Sequence, residues 1–107
     1  MLASVGSEAA GVGCLATIGP DVGHIRHVIV YPQFRGRGIG RKIMDNLMER
    51  SRALGHHSIR LDTAWFMEAA QALYRSLGFL ETPPYPETEV PQDLHPYWIF
   101  MEKNLTV

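Results

Sequence analysis

Residues 34–42, FRGRGIGRK, constrain the fold more than any other stretch of the chain: three glycines and four basic residues share nine positions. Upstream, residues 24–30 (HIRHVIV) grow apolar towards their end and stop at Pro32, as a strand does. Downstream the hydrophobic period changes. Ile39, Ile43, Leu47 and Leu54, with Met44 and Met48 alongside, recur at steps of three and four and predict an amphipathic helix. A bare strand-to-helix junction aims unpaired backbone N–H groups and the positive end of the helix dipole at one point. Gly36, Gly38 and Gly40 remove side chains that would block close approach. Arg35, Arg37, Arg41 and Lys42 add mobile charge at the rim. The physical expectation is a site for phosphate or pyrophosphate; the competing one is a flexible turn with solvated arginines. No Gly-Lys-Ser/Thr ends the stretch, which separates it from a Walker loop, and its Gly-x-Gly-x-Gly spacing is not the dinucleotide fingerprint.

The remaining chain reads as a mixed α/β domain. Residues 11–18 have strand character, and the turn residues GPDVG join them to residues 24–30 as a hairpin. Gly55 suits a left-handed helix cap, and residues 58–62 alternate as a short strand. A second helix carries Phe66, Ala69, Ala70, Leu73 and Leu77 on one face, with Gly78 as its cap and a strand opening at Phe79 and Leu80. Five of the seven prolines fall in residues 83–96, predicting a stiff irregular loop, and residues 97–103 read as a last strand.

The chain's 107 residues fit one compact domain, and a net charge of −1 signals neither a nucleic-acid nor a membrane surface. That makes the basic cluster a local feature. No apolar run approaches the ~20 residues of a membrane span. The N-terminus lacks the basic start and long apolar segment of a signal peptide, and the single cysteine, Cys14, favours a reducing compartment; a cytoplasmic location is expected. Cys14 itself reads as a small buried filler, and His56 and His57 as a solvated connection, with no metal-ligand set.

The run VYPQFRGRGIGRKIM resembles motif A of the GNAT superfamily of acyl-CoA N-acyltransferases, whose Arg/Gln-x-x-Gly-x-Gly/Ala pattern is filled here by Arg35, Gly38 and Gly40. The resemblance continues through IRLDT, AAQALYRSLGF and the closing FMEKNL, in the family's order. It implies a mostly antiparallel mixed sheet flanked by helices, and acetyl-CoA as cosubstrate without a metal. It also implies direct attack of a primary amine, on a small molecule or a protein, at the thioester. Carried onto this sequence, Val28, Ile29 and Val30 would meet the pantetheine arm, with a backbone amide near Val30 steadying the oxyanion. Arg35, Gly36, Arg37, Gly38, Ile39, Gly40 and Arg41 would surround the pyrophosphate. Tyr74 would protonate the departing thiolate, its competing reading being a core tyrosine beside Ala70 and Leu77. His24 stands near the position of the family's early glutamate and is the candidate base, ahead of His27, although a histidine beside a turn is also an ordinary surface residue.

Two departures accompany the match. Met67 occupies the position of an asparagine common on the second helix of relatives. Only about ten residues precede Gly11, so a domain short of the family's first strand and helices is expected, with exposed sheet edges pairing in a homodimer. No Lys or Arg lies between Arg75 and Lys103, while Glu81, Glu87, Glu89, Asp93 and Glu102 do. An acidic loop drawing in a cationic amine is one expectation, and a solvated surface loop the other. Tyr85, Tyr97 and Trp98 are candidates for an aromatic wall. The rival functions are a non-catalytic acyl-CoA-binding module and, against the charge balance, a nucleic-acid binder.

Overall fold

The computed structural model describes residues 2–5, 8–85, 88 and 90–105. The elements are β1 (Leu2–Val5), β2 (Glu8–Gly19), β3 (Val22–Val30), α1 (Ile39–Ala53), β4 (Ser58–Ala64), α2 (Glu68–Ser76), β5 (Leu80–Thr82) and β6 (Trp98–Asn104). Short 3-10 turns cover Pro32–Phe34 and Gln92–Tyr97. Among the described residues the six strands form one sheet in the order β1-β2-β3-β4-β6-β5. Every pairing is antiparallel except β3 with β4. The expected mixed, mostly antiparallel sheet flanked by helices is therefore the fold observed.

The helix α1 forms as its pattern requires except at Leu54, which caps the helix beyond Ala53 and is exposed where the chain turns at Gly55. Ile39, Ile43, Met44, Leu47 and Met48 are buried, while Asp45, Glu49, Arg50 and Arg52 stay exposed. Burying each large apolar side chain contributes about 1.5–3 kcal/mol, so this stripe fixes the helix onto the sheet. Its partners in the core include Ile25, Ile59, Leu61, Phe79, Met101 and Leu105. Replacing the fully buried Ile43 by alanine would cost about 2–5 kcal/mol. At the far end of α1, Ser51 Oγ lies 2.7 Å from His56 Nδ1, and His56 Nε2 lies 3.0 Å from Thr17 Oγ1. Both groups crowd Gly23, where a Cβ would come within 2.7 Å of Ser51 Oγ and 2.8 Å of His56 Nδ1.

The feature that shapes everything else is the seam between β3 and β4. Only Val22, Gly23 and His24 pair with Ser58, Ile59 and Arg60; residues 25–30 and 61–64 have no ladder between them. A β-bulge accompanies the divergence. Val12 pairs with Ile29 and Cys14 with Arg26, so three steps along β3 oppose two along β2. The extra residue bends and twists its strand, turning the end of β3 away from β4. On the other side β4 stays zipped to β6 along its whole length.

Several sequence expectations change here. A strand, β1, precedes the expected first one, and β2 begins at Glu8 rather than Gly11; the small-residue composition of that region hides the alternation. Cys14 is exposed, because Gly13 faces α1 and its neighbour must face away. Phe66 precedes α2 and is 64% exposed, and Ala69 is exposed within it, so neither belongs to a buried helix face; Ala70, Leu73 and Leu77 are half-buried there. His56 is buried rather than solvated, because the chain folds back after Gly55 (φ 84°) and delivers it to Ser51 and Thr17. Gly78, as expected, carries a left-handed φ of 96° beyond α2.

Candidate active site

The glycine-rich loop enters from β3 over a turn anchored by the buried Phe34. Gly36 (φ 81°) and Gly38 (φ 73°) are left-handed, and Gly38 is the N-cap of α1. Open space lies over both positions, so it is the backbone dihedral and not crowding that requires glycine. The first helical bond runs from Lys42 N–H to the Gly38 carbonyl at 3.1 Å. No side chain caps the helix, and the N–H groups of residues 36–41 have no partner among the described residues. That is a set of converging donors at the positive end of a 15-residue helix. Ile39 contributes only its amide, since its side chain is in the core.

The basic side chains differ from the mobile rim expected of them. Arg35 Nε donates to the Val30 carbonyl at 3.2 Å, Arg37 lies over the Phe34 ring at 5.4 Å, and Arg41 donates to Ser76 Oγ at 2.8 Å. Three of the four are thus tied to the scaffold, and they brace the loop as well as charging it. The Val30 contact also orients the strand. Tyr31 N–H donates across to the Ala10 carbonyl, so the alternation turns the peptide groups of Val30 away from β2 and into the open seam.

Two cavities fill that seam. The larger, about 600 Å³, runs from the loop between β3 and α2, past Val28, Ile29, Val30, Arg35, Gly40, Phe66, Met67 and Leu73. The smaller, about 350 Å³, lies on the β4 side and is lined by Ile25, Arg26, Leu61, Asp62, Val90, Pro91, Leu94 and Trp98. Val28 and Tyr74 line both. Met67, standing where an asparagine was expected, offers the larger cavity a thioether edge in place of an amide.

Tyr74 is buried, edge-on to Phe79, and its hydroxyl makes no hydrogen bond to another described residue. Burial, and then the charge of Asp62, push its hydroxyl above the usual tyrosine range. It therefore keeps its proton at neutral pH. Its ring packs in the core beside Phe79, and the residue also lines both cavities.

His24 is only 2% exposed and lines neither cavity. Arg26 Nε donates to its Nδ1 at 2.9 Å, so Nε2 carries the proton and faces Tyr85 Oη at 3.1 Å. Tyr85 in turn donates to Asp62 Oδ2 at 2.9 Å, and Trp98 Nε1 donates to Asp62 Oδ1 at 2.9 Å. His24, the candidate base, is neither at a surface nor at a cavity: it is the inner end of a buried relay that holds a carboxylate. Burial alone would raise the Asp62 carboxyl, but hydrogen bonds from His24, Trp98 and Tyr85 outweigh it and hold it below the ordinary range. Asp62 is consequently an anion at neutral pH, facing the smaller cavity. In the sequence Asp62 stands as the end of a strand, and its one local signal is an acid within an otherwise apolar-alternating IRLDTA.

The acidic loop differs from expectation too. Glu81 is paired with Arg75 and Glu102 with Arg60, each at 2.7 Å, so neither is a free charge for a ligand. Asp93 is exposed, and Glu87 and Glu89 lie outside the described residues. Of the three aromatic candidates, Trp98 lines the smaller cavity, Tyr85 is buried behind Asp62, and Tyr97 is 59% exposed. The side chain of His27 also lies outside the described set.

Comparison with known proteins gives a consistent picture. The family model described as "Acetyltransferase (GNAT) family" matches residues 1–79. An IAA acetyltransferase from Azospirillum brasilense is 32% identical over 83 residues, covering 78% of this chain and 52% of the relative. The chain spans about half the length of the curated relatives it matches. A Klebsiella pneumoniae protein provisionally described as an acyl-CoA N-acyltransferase superposes with a TM-score of 0.82 at 32% identity, over 92% of this chain and 65% of that one. A Bacillus subtilis acetyltransferase solved in complex with CoA shares the fold, with a TM-score of 0.80 at 20% identity, over 96% of this chain and 74% of its own.

Proposed function

This chain belongs to the GNAT acetyltransferase family, and on that premise we propose that it moves an acetyl group from acetyl-CoA to a primary amine by direct attack on the thioester. The observation that carries the reading is the meeting of two unlike cavities at Tyr74: one ends in unpaired backbone donors, the other in a held carboxylate. The residues fit the cosubstrate. The N–H groups of residues 36–41, backed by the charges of Arg35, Arg37 and Arg41, suit a pyrophosphate. The inward peptide groups of Val30, with Val28 and Ile29 beside them, suit the amide-bearing pantetheine arm. A fixed N–H on this strand would also stabilise charge developing on the thioester oxygen.

On the acceptor side Asp62 attracts the ammonium form of the amine and receives its proton, directly or through water. Asp62 passes that proton on to solvent. The free amine nitrogen then bonds to the acetyl carbon and loses a second proton to water, the carbon–sulfur bond breaks, and Tyr74 gives its proton to the sulfur. The second proton, carried by solvent, restores Tyr74. His24 acts behind this step, through Tyr85 and Asp62, and not as the base itself. Exposed edges at β1 and β5 support pairing with a second copy, which elution as a monomer in gel filtration would remove.

Calorimetric titration with acetyl-CoA, on the wild type and on Gly38→Glu, tests the cofactor half of the reading. Binding that the glutamate abolishes supports it. Thiol release with an amine panel tests the catalytic half. Binding without turnover would leave a non-catalytic acyl-CoA-binding module.

A further inference from the structure

The carboxylate at the smaller cavity is held in place without a lysine or arginine. Asp62 accepts from Tyr85 Oη and Trp98 Nε1, each at 2.9 Å, and lies 3.4 Å from His24 Nε2. A carboxylate has about four lone-pair sites, so these three donors leave room for one more. The Asp62 side chain keeps 19% of its surface exposed. It is the one acid on the cavity lining among the described residues, and Arg26 is the one base. Arg26 is already engaged: its Nε donates to His24 Nδ1 at 2.9 Å, and it has a further partner. Most of the remaining lining is apolar, with Ile25, Val28 and Leu61 on the sheet and Val90, Pro91 and Leu94 ahead of β6. This wall is preformed. His95 Nε2 donates to the Val90 carbonyl at 3.0 Å with its ring edge-on to Phe100, and Leu94 N–H donates to the Pro91 carbonyl at 2.9 Å. Leu94 is nonetheless 40% exposed, an apolar side chain held at the cavity and outside the core. At about 350 Å³ the space lies at the small end of ligand cavities.

These features sort the amines. A ligand carboxylate would have to compete for a guanidinium that already has partners. The second ammonium of a diamine would lie against apolar surface with no acid to meet it, which is costly. A very small amine would satisfy Asp62 but leave water along the wall. We propose that the acceptor is a monoamine with a compact apolar body, alkyl or aryl, and no carboxylate. Its ammonium group lies against Asp62, and its body fills the space between Leu61, Leu94 and Trp98. The assignment names the acceptor class for the acetyl transfer proposed above and rests on that reading for the reaction, but the contacts that select the amine are independent of the cosubstrate.

The test is calorimetric titration at neutral pH, on the free protein and again with CoA present. The probe is 3-methylbutylamine, and its comparators are ethylamine, 3-methyl-1-butanol, 1,5-diaminopentane and L-leucine (the same amine carrying a carboxylate). The probe is expected to bind at least about tenfold more tightly than each, the range of one charge-assisted contact or of a few buried methylene groups. In Asp62→Asn its preference over 3-methyl-1-butanol should collapse to within about twofold. Leu94→Ser, at an exposed position, should weaken the probe about fivefold and leave ethylamine unchanged. A comparator that binds as tightly as the probe, a preference over the alcohol that survives Asp62→Asn, or no binding of the probe in either form would each overturn the assignment. The wild-type comparison decides even if a variant fails to fold, and acetyl-CoA titration of each variant reports its integrity. Acetyl-CoA binding without selective binding of the probe would sink the monoamine assignment alone. Selective binding of the probe without acetyl-CoA binding would keep it and sink the transferase reading.

Discussion

The loop side of the cleft is made by one continuous run of residues acting mainly through backbone N–H groups, whereas the β4 side is made by side chains brought from β3, β4, α2 and residues 90–98. The two halves should therefore fail differently. A site built from backbone tolerates changes of side chain unless the change forbids the dihedral. A site built from side chains tolerates none of its own, however conservative.

The sharpest way to break that contrast is at Gly38. A left-handed φ costs an ordinary residue about 1–2 kcal/mol, and a carboxylate there would face a like-charged ligand. Gly38→Glu should weaken acetyl-CoA binding on the order of 10³-fold by calorimetry, while Gly38→Asn, which accepts the dihedral, should retain most of it. Next comes Tyr74→Phe, which keeps the ring against Phe79 and removes only the proton donor. Steady-state kinetics should show kcat reduced about 100-fold with little change in KM for acetyl-CoA; a fall of less than about threefold would remove Tyr74 from the chemistry.

Smaller effects sharpen the acceptor half. Tyr85→Phe preserves the edge contacts with Phe100 and removes the hydroxyl between His24 and Asp62. The amine KM should rise about tenfold and stability fall by about 1 kcal/mol in chemical denaturation, with acetyl-CoA binding untouched. Asp62 also sets an acid limb. Because its folded carboxyl lies below 3.8, its contribution to stability is present above that value and is lost as pH falls through the lower, folded value. Below about pH 4 the melting temperature of the wild type should drop more steeply than that of Asp62→Asn. Least of all, Arg41→Ala, which loses an exposed bond to Ser76, should shift stability by about 0.5 kcal/mol or less and weaken acetyl-CoA binding only a few-fold. A loss there as large as that of Gly38→Glu would mean that side-chain charge, not backbone, does the holding.

The same contrast explains what could be read from the sequence. The loop and its helix were legible because their information is local: three glycines, a change of period and a flanking proline stand within about twenty positions. The buried stripe of α1 and the left-handed caps at Gly55 and Gly78 follow from the same short-range rules. Asp62, Arg26 and Tyr85 were not legible as a group, because their meeting depends on the bulge in β3, the register of β4 on β6 and the path of a proline-stiffened segment. His24 shows the cost. Its position suggested a turn-side residue free to take a proton, but burial under Tyr85 committed both ring nitrogens before any ligand arrives. The small-residue start of the chain concealed β1 for a related reason: pairing with β2, not local pattern, makes it a strand.

The crowding at Gly23 has a mechanical consequence. An α-helix is a stiff rod, and roughly 18 Å of it separates Ser51 from the Ile39 end where the donors converge. Ser51 and His56 moor the rod where Gly23 leaves no room for a methyl group. A side chain at Gly23 would lift the moored end and swing the opposite one, so the aim of the donors is set in part by a contact that no ligand touches.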